Sequence, residues 1–367
     1  MARRAVAGLL AVAALAVAGC GEDEPAGPSI AGVGAAFFGI APQDATSDVD
    51  LTRMSAGGVG SYHLLLSWAR VEEQAGVYDF SGYDKLVGKL ATFGIEPITY
   101  VYGTPRHLAE SQSMPPTSSE EAIEGWERFL TEAAERYGPG GEFWEVFART
   151  DPGVEPQPLR IWEIWNEPNG PAFWSPDPSP SEYATLLKRS QRTLHKTDPG
   201  AEIMLAGMFA TPSKPGAIES FDFLREMYEE RGVAEAVDLV GIHPYGPRTA
   251  DVKEQMSRTH DVLEEVGEEE TGVWVTEIGW GSDPRANNQV AKTPARQATL
   301  LTRAYELMIE RRERWNVRGV LWYTWRDAAN PVGLCGWCTS AGLVDDDLDP
   351  KPAWRAYTAL TGGEAKP

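Results

Sequence analysis

Short apolar or β-branched runs recur along the chain, separated by longer stretches of helical periodicity. The runs lie at 35–40, 61–68, 95–102, 159–165, 201–207, 237–243, 272–280 and 318–325. Each is six to nine residues long, the length of a strand, and most are rich in Val, Ile, Tyr, Phe and Trp. Between them lie sequences such as SGYDKLVGKLATFG, SSEEAIEGWERFLTEAAERYG, SPSEYATLLKRSQRTLHK and TPARQATLLTRAYELMIERRERW. Their apolar residues fall near every 3.6 positions with polar residues on the opposite face, which predicts amphipathic helices. Ser118 and Ser119 ahead of Glu120 and Glu121, and the Ser179-Pro180 pair, are N-terminal helix signals. A last helix, KPAWRAYTAL, follows the eighth run.

Connections of this length exclude hairpins, so the strands must be parallel with crossover helices. Eight such units fit a closed (β/α)8 TIM barrel over residues 35–362. The competing open, doubly wound sheet carries a glycine-rich phosphate turn after its first strand, and FFGIAPQDA is not one. A barrel also fixes where chemistry belongs, at the C-terminal ends of the strands.

Those ends carry an unusual set of residues. Run four leads into Asn166-Glu167-Pro168-Asn169, run six into His243-Pro244-Tyr245, run seven into Thr276-Glu277, and run eight into Trp322-Tyr323-Thr324-Trp325. Two carboxylates three strands apart would face one cavity lined by aromatic rings. Cleavage of a glycosidic bond needs such a set: an acid for the leaving oxygen, a carboxylate for the oxocarbenium-like centre and flat faces for sugar rings. Glu163, four residues before Glu167, is expected deeper in the barrel as a buried, hydrogen-bonded acid.

IWNEPN, HPYG, VTEIGW and WYTW resemble the clan A glycoside hydrolases, retaining (β/α)8 enzymes that include families 5 and 39. RVEEQAGVYDFSGYDKLV and GLVDDDLDPKPAW resemble further stretches of such barrels. The resemblance implies Glu167 as general acid/base, Glu277 as nucleophile, and Asn166 as donor to the sugar 2-hydroxyl. It further implies Tyr245 hydrogen-bonded to Glu277, His243 lining the site, and Trp325 or Trp322 as the platform beneath the sugar. It implies no metal or organic cofactor. The clan's strand-two arginine is missing, with His63 of YHLLLSW at its position, and Arg70 lies further along the chain. His63 keeps a second reading open, a catalytically impaired barrel that binds carbohydrate without turnover. A metal-dependent hydrolase is disfavoured, because the five histidines are scattered and no His-x-His occurs.

The first residues stand apart from the barrel. Arg3 and Arg4, an uncharged run to Gly19 and then Cys20 read as a lipoprotein signal peptide over 1–19, too short to span a bilayer. Cys20 is the expected lipidation site, and residues 20–34, small, acidic and Pro/Gly-containing, would form a flexible tether. The expected product is an exported, lipid-anchored monomer. Loss of residues 1–19 removes two arginines and takes the net charge from −21 to −23. That charge disfavours nucleic acid as a partner and suits a neutral carbohydrate. Cys335 and Cys338 remain, and in an exported chain they are expected to form a small-loop disulfide that stiffens a wall of the cleft.

Overall fold

A computed structural model describes residues 32–209, 215–286, 288–328 and 335–366. The expected signal peptide, Cys20 and most of the tether lie outside the described residues. Eight strands form a closed barrel in chain order: β1 (Phe38–Ile40), β2 (Ser61–Ser67), β3 (Glu96–Tyr102), β4 (Ile161–Ile164), β5 (Glu202–Phe209), β6 (Leu239–His243), β7 (Gly272–Ile278) and β8 (Val317–Trp322). Every pairing is parallel, and β8 closes onto β1 through Phe38–Val320, Gly39–Leu321 and Ile40–Trp322. All eight apolar runs are strands, and the barrel, not the open sheet, is the architecture.

The predicted helices also form. Ser119 caps the helix Glu120–Tyr137 by accepting from the Ala122 amide, and Ser179 caps Pro180–Thr197 by accepting from Glu182. Each cap satisfies an amide that the first helical turn leaves unpaired. The barrel-facing sides of the helices and the outward strand residues share one continuous apolar layer, including Trp162 and Ile164 of β4 and Val320 and Trp322 of β8.

Inside the barrel the side chains divide by depth. The floor is apolar: Ala41, Ile98, Ile161, Met204, Leu239, Trp274 and Leu321 form a separate cluster. Gly319 lets Trp274 cross this floor, since a Cβ there would lie 2.1 Å from the indole ring. Above the floor the inward residues turn polar, with His63, Glu163, His243 and Thr276 all buried. Two-residue alternation carries Ile161 and Glu163, or Leu239 and His243, from floor to roof on the same strand face.

A methyl group at position 319 would have to displace Trp274 and its neighbours in a close-packed floor. Gly319→Ala is therefore expected to destabilise the barrel by about 1–3 kcal/mol. Thermal unfolding followed by circular dichroism should show a melting temperature several degrees lower, and an unchanged melt would contradict this packing.

Candidate active site

Glu167 reaches the barrel mouth because the chain abandons strand geometry after Ile164. Trp165 has φ 80° and Glu167 has φ 40°, both left-handed and unfavourable for residues with a side chain. The first of these turns rotates Trp165 out of the barrel, although alternation alone would point it inward like Glu163. Its indole then packs edge-on to Tyr102, Trp126 and Trp174 and donates to the Phe173 carbonyl at 2.7 Å. This burial, with the bond from the Glu167 amide to the Gly207 carbonyl at 3.1 Å, holds the strained turn. Asn169 fastens the next segment by donating to the carbonyls of Phe209 and Ile218, each at 2.9 Å.

Glu277 arrives by a different irregularity. The β7–β8 register shifts between Val275 and Ile278, two residues that both pack in the outer apolar layer. Thr276 and Glu277 between them both face inward, which a regular strand would forbid. Tyr245 donates to Glu277 Oε2 at 2.7 Å. His243 Nδ1 lies 2.9 Å from Glu167 Oε1 and 3.8 Å from Glu277 Oε2. One oxygen of each glutamate and a nitrogen of His243 all lie within 4.8 Å of one another.

Burial alone would lower the pKa of His243, but the charge of Glu277, the hydrogen bond to Glu167 and the charges of Glu167 and Glu163 raise it to about 9. With its imidazole protonated, His243 forms an ion-paired, hydrogen-bonded cluster with Glu167 and Glu277. Burial raises the pKa of Glu277 above the ordinary carboxylate range. His243 opposes the rise, the charge of Glu167 adds to it, and His63 and the Tyr245 hydroxyl also lower it. Tyr245 is held as a phenol by its burial and the neighbouring Glu277 charge.

The glutamates open into a cleft of about 1270 Å³, lined in part by Asn166, His63, Tyr245, Tyr323 and Trp337. Asn166 Oδ1 is buried without a hydrogen-bond partner among the described residues. Trp337 meets Tyr245 edge-on at 5.2 Å and Tyr323 at 6.0 Å. It sits between Cys335 and Cys338, which form a disulfide, and both cysteines line the cleft.

Four expectations need correction. Neither Trp322 nor Trp325 is a platform: Trp322 is an outward β8 residue packed on Trp280, and Trp325 packs on Trp354 and donates to Asp50. Tyr323 faces the cleft instead, as its two-residue spacing from inward Leu321 would have indicated. His243 does not line the cleft but lies beneath it, fully buried, with both ring nitrogens engaged by the protein. His63 borders the cleft, yet its Nε2 is committed to Glu163 Oε2 at 2.7 Å, and it makes no hydrogen bond to Glu277 among the described residues. Trp174 and Trp280 are core residues, while Trp337 reaches the cleft.

The family model described as glycosyl hydrolase catalytic core matches residues 157–334, from β4 through β8. Comparison with curated protein sequences gives no match. Among solved structures, a family 39 glycoside hydrolase from the gut symbiont Bacteroides cellulosilyticus WH2 is similar with a TM-score of 0.65 and 22% identity, over 89% of this chain and 63% of that one. This chain thus spans less than two thirds of that protein's length. A monomeric β-xylosidase from Caulobacter crescentus CB15 has a TM-score of 0.59 and 19% identity, covering 91% of this chain and 69% of its own. A GH5_18 protein from Streptomyces cattleya, solved in complex with Manβ1-4GlcNAc, has a TM-score of 0.63 and 16% identity, over 86% and 74% of the two chains. These structures share the fold, and the glycosyl hydrolase catalytic core model matches the part of the barrel, β4 through β8, that carries Glu167 and Glu277.

Proposed function

We propose that the enzyme cleaves β-linked oligosaccharides with retention of configuration, through a covalent glycosyl-enzyme on Glu277. The supporting observation is the approach of the two carboxyl groups, with oxygens within 4.8 Å of each other. An inverting enzyme must fit a water between its carboxyls, which needs roughly 6.5–9.5 Å, whereas the retaining geometry needs about 5–5.5 Å.

In the first step Glu167 delivers a proton to the departing glycosidic oxygen while Glu277 bonds to the anomeric carbon. In the second, Glu167 takes a proton from water, which displaces Glu277 and releases the sugar. Asn166 offers its amide to a hydroxyl of the ring in the cleavage subsite, and Tyr323 and Trp337 offer faces for stacking. The cleft exceeds the roughly 300–1,000 Å³ of an ordinary small-molecule pocket, which favours several sugar rings over one. The structural relatives that are a β-xylosidase and an exo-β-1,4-mannosidase favour xylo- or manno-configured substrates. An impaired, binding-only barrel is less well supported, because Glu277 receives its hydrogen bond from Tyr245 and its nearest positive charge from His243. Neither depends on an arginine at position 63.

Incubation with activated 2-deoxy-2-fluoroglycosides of the xylo, manno, gluco and galacto series should leave one covalent sugar. Peptide mass spectrometry is expected to find it on Glu277 and nowhere in Glu277→Ala. Binding of oligosaccharides with no adduct from any series would overturn the retaining mechanism.

Tyr245 also sets a pH limit. Its hydrogen bond favours the charged form of Glu277 and opposes the upward pull of burial. Loss of that bond raises the pKa of Glu277, so a higher pH is needed to ionise the nucleophile. Tyr245→Phe is expected to move the acidic limb of the kcat/KM profile to higher pH and to lower its maximum about tenfold or more; an unmoved acidic limb would remove Tyr245 from this role.

Export and lipid anchoring through Cys20 form part of the same proposal, supported by the pattern of residues 1–20. Intact mass of the protein recovered from its native membrane should correspond to a chain beginning at an acylated Cys20. An unmodified chain that retains residues 1–19 would refute it.

A further inference from the structure

Beneath the catalytic pair runs a hydrogen-bonded chain that the proposed reaction does not itself require. Glu163 is fully buried. Its Oε2 lies 2.7 Å from His63 Nε2 on β2, and its Oε1 accepts from the Gly207 amide on β5 at 2.6 Å and from Thr276 Oγ1 on β7 at 3.4 Å. Thr276 Oγ1 in turn lies 3.1 Å from His243 Nε2, and His243 Nδ1 lies 2.9 Å from Glu167 Oε1. Room for this arrangement depends on Gly207, where a Cβ would come within 2.1 Å of His243 Nε2 and 2.4 Å of Thr276 Oγ1.

Donor and acceptor capacities fix its direction. An ionised carboxylate only accepts, so the Thr276 hydroxyl spends its single proton on Glu163 and turns a lone pair to His243. With the hydroxyl so directed, His243 Nε2 is the nitrogen that carries the proton. Nδ1 is left to face Glu167 either as a donor to the carboxylate or as an acceptor from the carboxylic acid. One proton can therefore sit on either side of the His243–Glu167 contact without any rearrangement of the surrounding groups.

We infer that Glu163, acting through Thr276, is a positioning residue that locks His243 as the Nε2-protonated tautomer, so that His243 and Glu167 jointly hold the proton delivered to the leaving group. The inference rests on the reading of Glu167 as the general acid. The pair loses its shared proton as one unit, so the basic limb of activity belongs to the pair. The groups facing it are Glu277 and Thr276 from β7, Glu163 from β4, and Tyr245 after β6. Glu163 itself faces His63, Tyr100 from β3 and the Tyr183 hydroxyl, whose own pKa its charge helps to raise. Negative charge on Glu277 and Glu163 stabilises the protonated pair, so weakening the link to Glu163 must move proton loss to lower pH. When Glu277 becomes esterified, one of those charges disappears and the pair gives up its proton more readily, as the second step demands of Glu167.

The test is Thr276→Val, which keeps the shape and removes the hydroxyl, beside Thr276→Ser, which restores it. In wild type labelled with 15N-histidine, the His243 signals should show Nε2 protonated throughout and titration at alkaline pH. In Thr276→Val that titration and the basic limb of kcat/KM should fall together by about one pH unit. The maximal rate should drop about tenfold to a hundredfold, less than the ~10²–10⁴ attributed to a general acid itself. Thr276→Ser should retain wild-type values for both. Glu163→Gln should lower both pH values as well, and it carries the test if Thr276→Val does not fold. A folded variant with unchanged His243 titration and an unchanged basic limb would overturn the inference. Failure of the glycosidase reading is separate: it appears as absence of a Glu277 adduct and leaves the histidine titration measurable.

Discussion

A carboxylate sealed inside a barrel must be neutralised or fully hydrogen-bonded, and Glu163 meets that demand with groups from three other strands. His63 comes from β2, the Gly207 amide from β5 and Thr276 from β7. Burial of an isolated ion costs several kcal/mol even after relaxation, so these partners are tied to one another in position. Because each belongs to a different strand, satisfying Glu163 also fixes the relative heights of β2, β4, β5 and β7. The active site stands on that shared level, with Glu167 and Glu277 one layer above it.

The division of the barrel interior follows from the same constraint. An apolar floor beneath Glu163 excludes water and keeps the polar roof from being solvated from below. In this environment the charges of Glu167, Glu277, Glu163 and His243 interact more strongly than at a surface. Glu277 illustrates the balance: burial works against its ionised form, and His243, His63 and Tyr245 work for it.

The fold was legible because the signals that specify a barrel are local and repeated. Eight apolar runs separated by capped amphipathic helices leave few topologies, and each strand expected from the sequence is present. Of the site, Asn166, Glu167, Tyr245 and Glu277 could be placed at strand ends from the same reading, and the structure brings their side chains to one cleft. The errors have a common origin. The resemblance points to Trp325 or Trp322 as the platform, but alternation assigns Trp322 to the helix-facing side, and Trp325 follows a turn that delivers its indole to Asp50. The same resemblance places His243 at the cleft lining, yet it is the last inward residue of β6 and lies a layer lower. The left-handed turns at Trp165 and Glu167 and the shift before Ile278 have no sequence signature of their own. They arise from tertiary demands, and they set the final orientation of both glutamates.

The position expected to hold an arginine shows how such demands reshape a site. A guanidinium is always charged and presents several donors in a plane, whereas the His63 imidazole offers one bond to Glu163 and places its ring 4.3 Å from that of Tyr100. On the β6 side, Tyr245 donates to Glu277, and His243 stands between the carboxyls of Glu167 and Glu277. Tyr245 is in turn pressed edge-on by Trp337, which the Cys335–Cys338 disulfide brackets in the loop after β8. A short disulfide contributes little to global stability through chain entropy. Its consequence here is local, because it restrains an aromatic ring against the phenol that donates to Glu277. The cleft wall and the buried carboxylate are thereby parts of one packed unit, from disulfide to Trp337 to Tyr245 to Glu277.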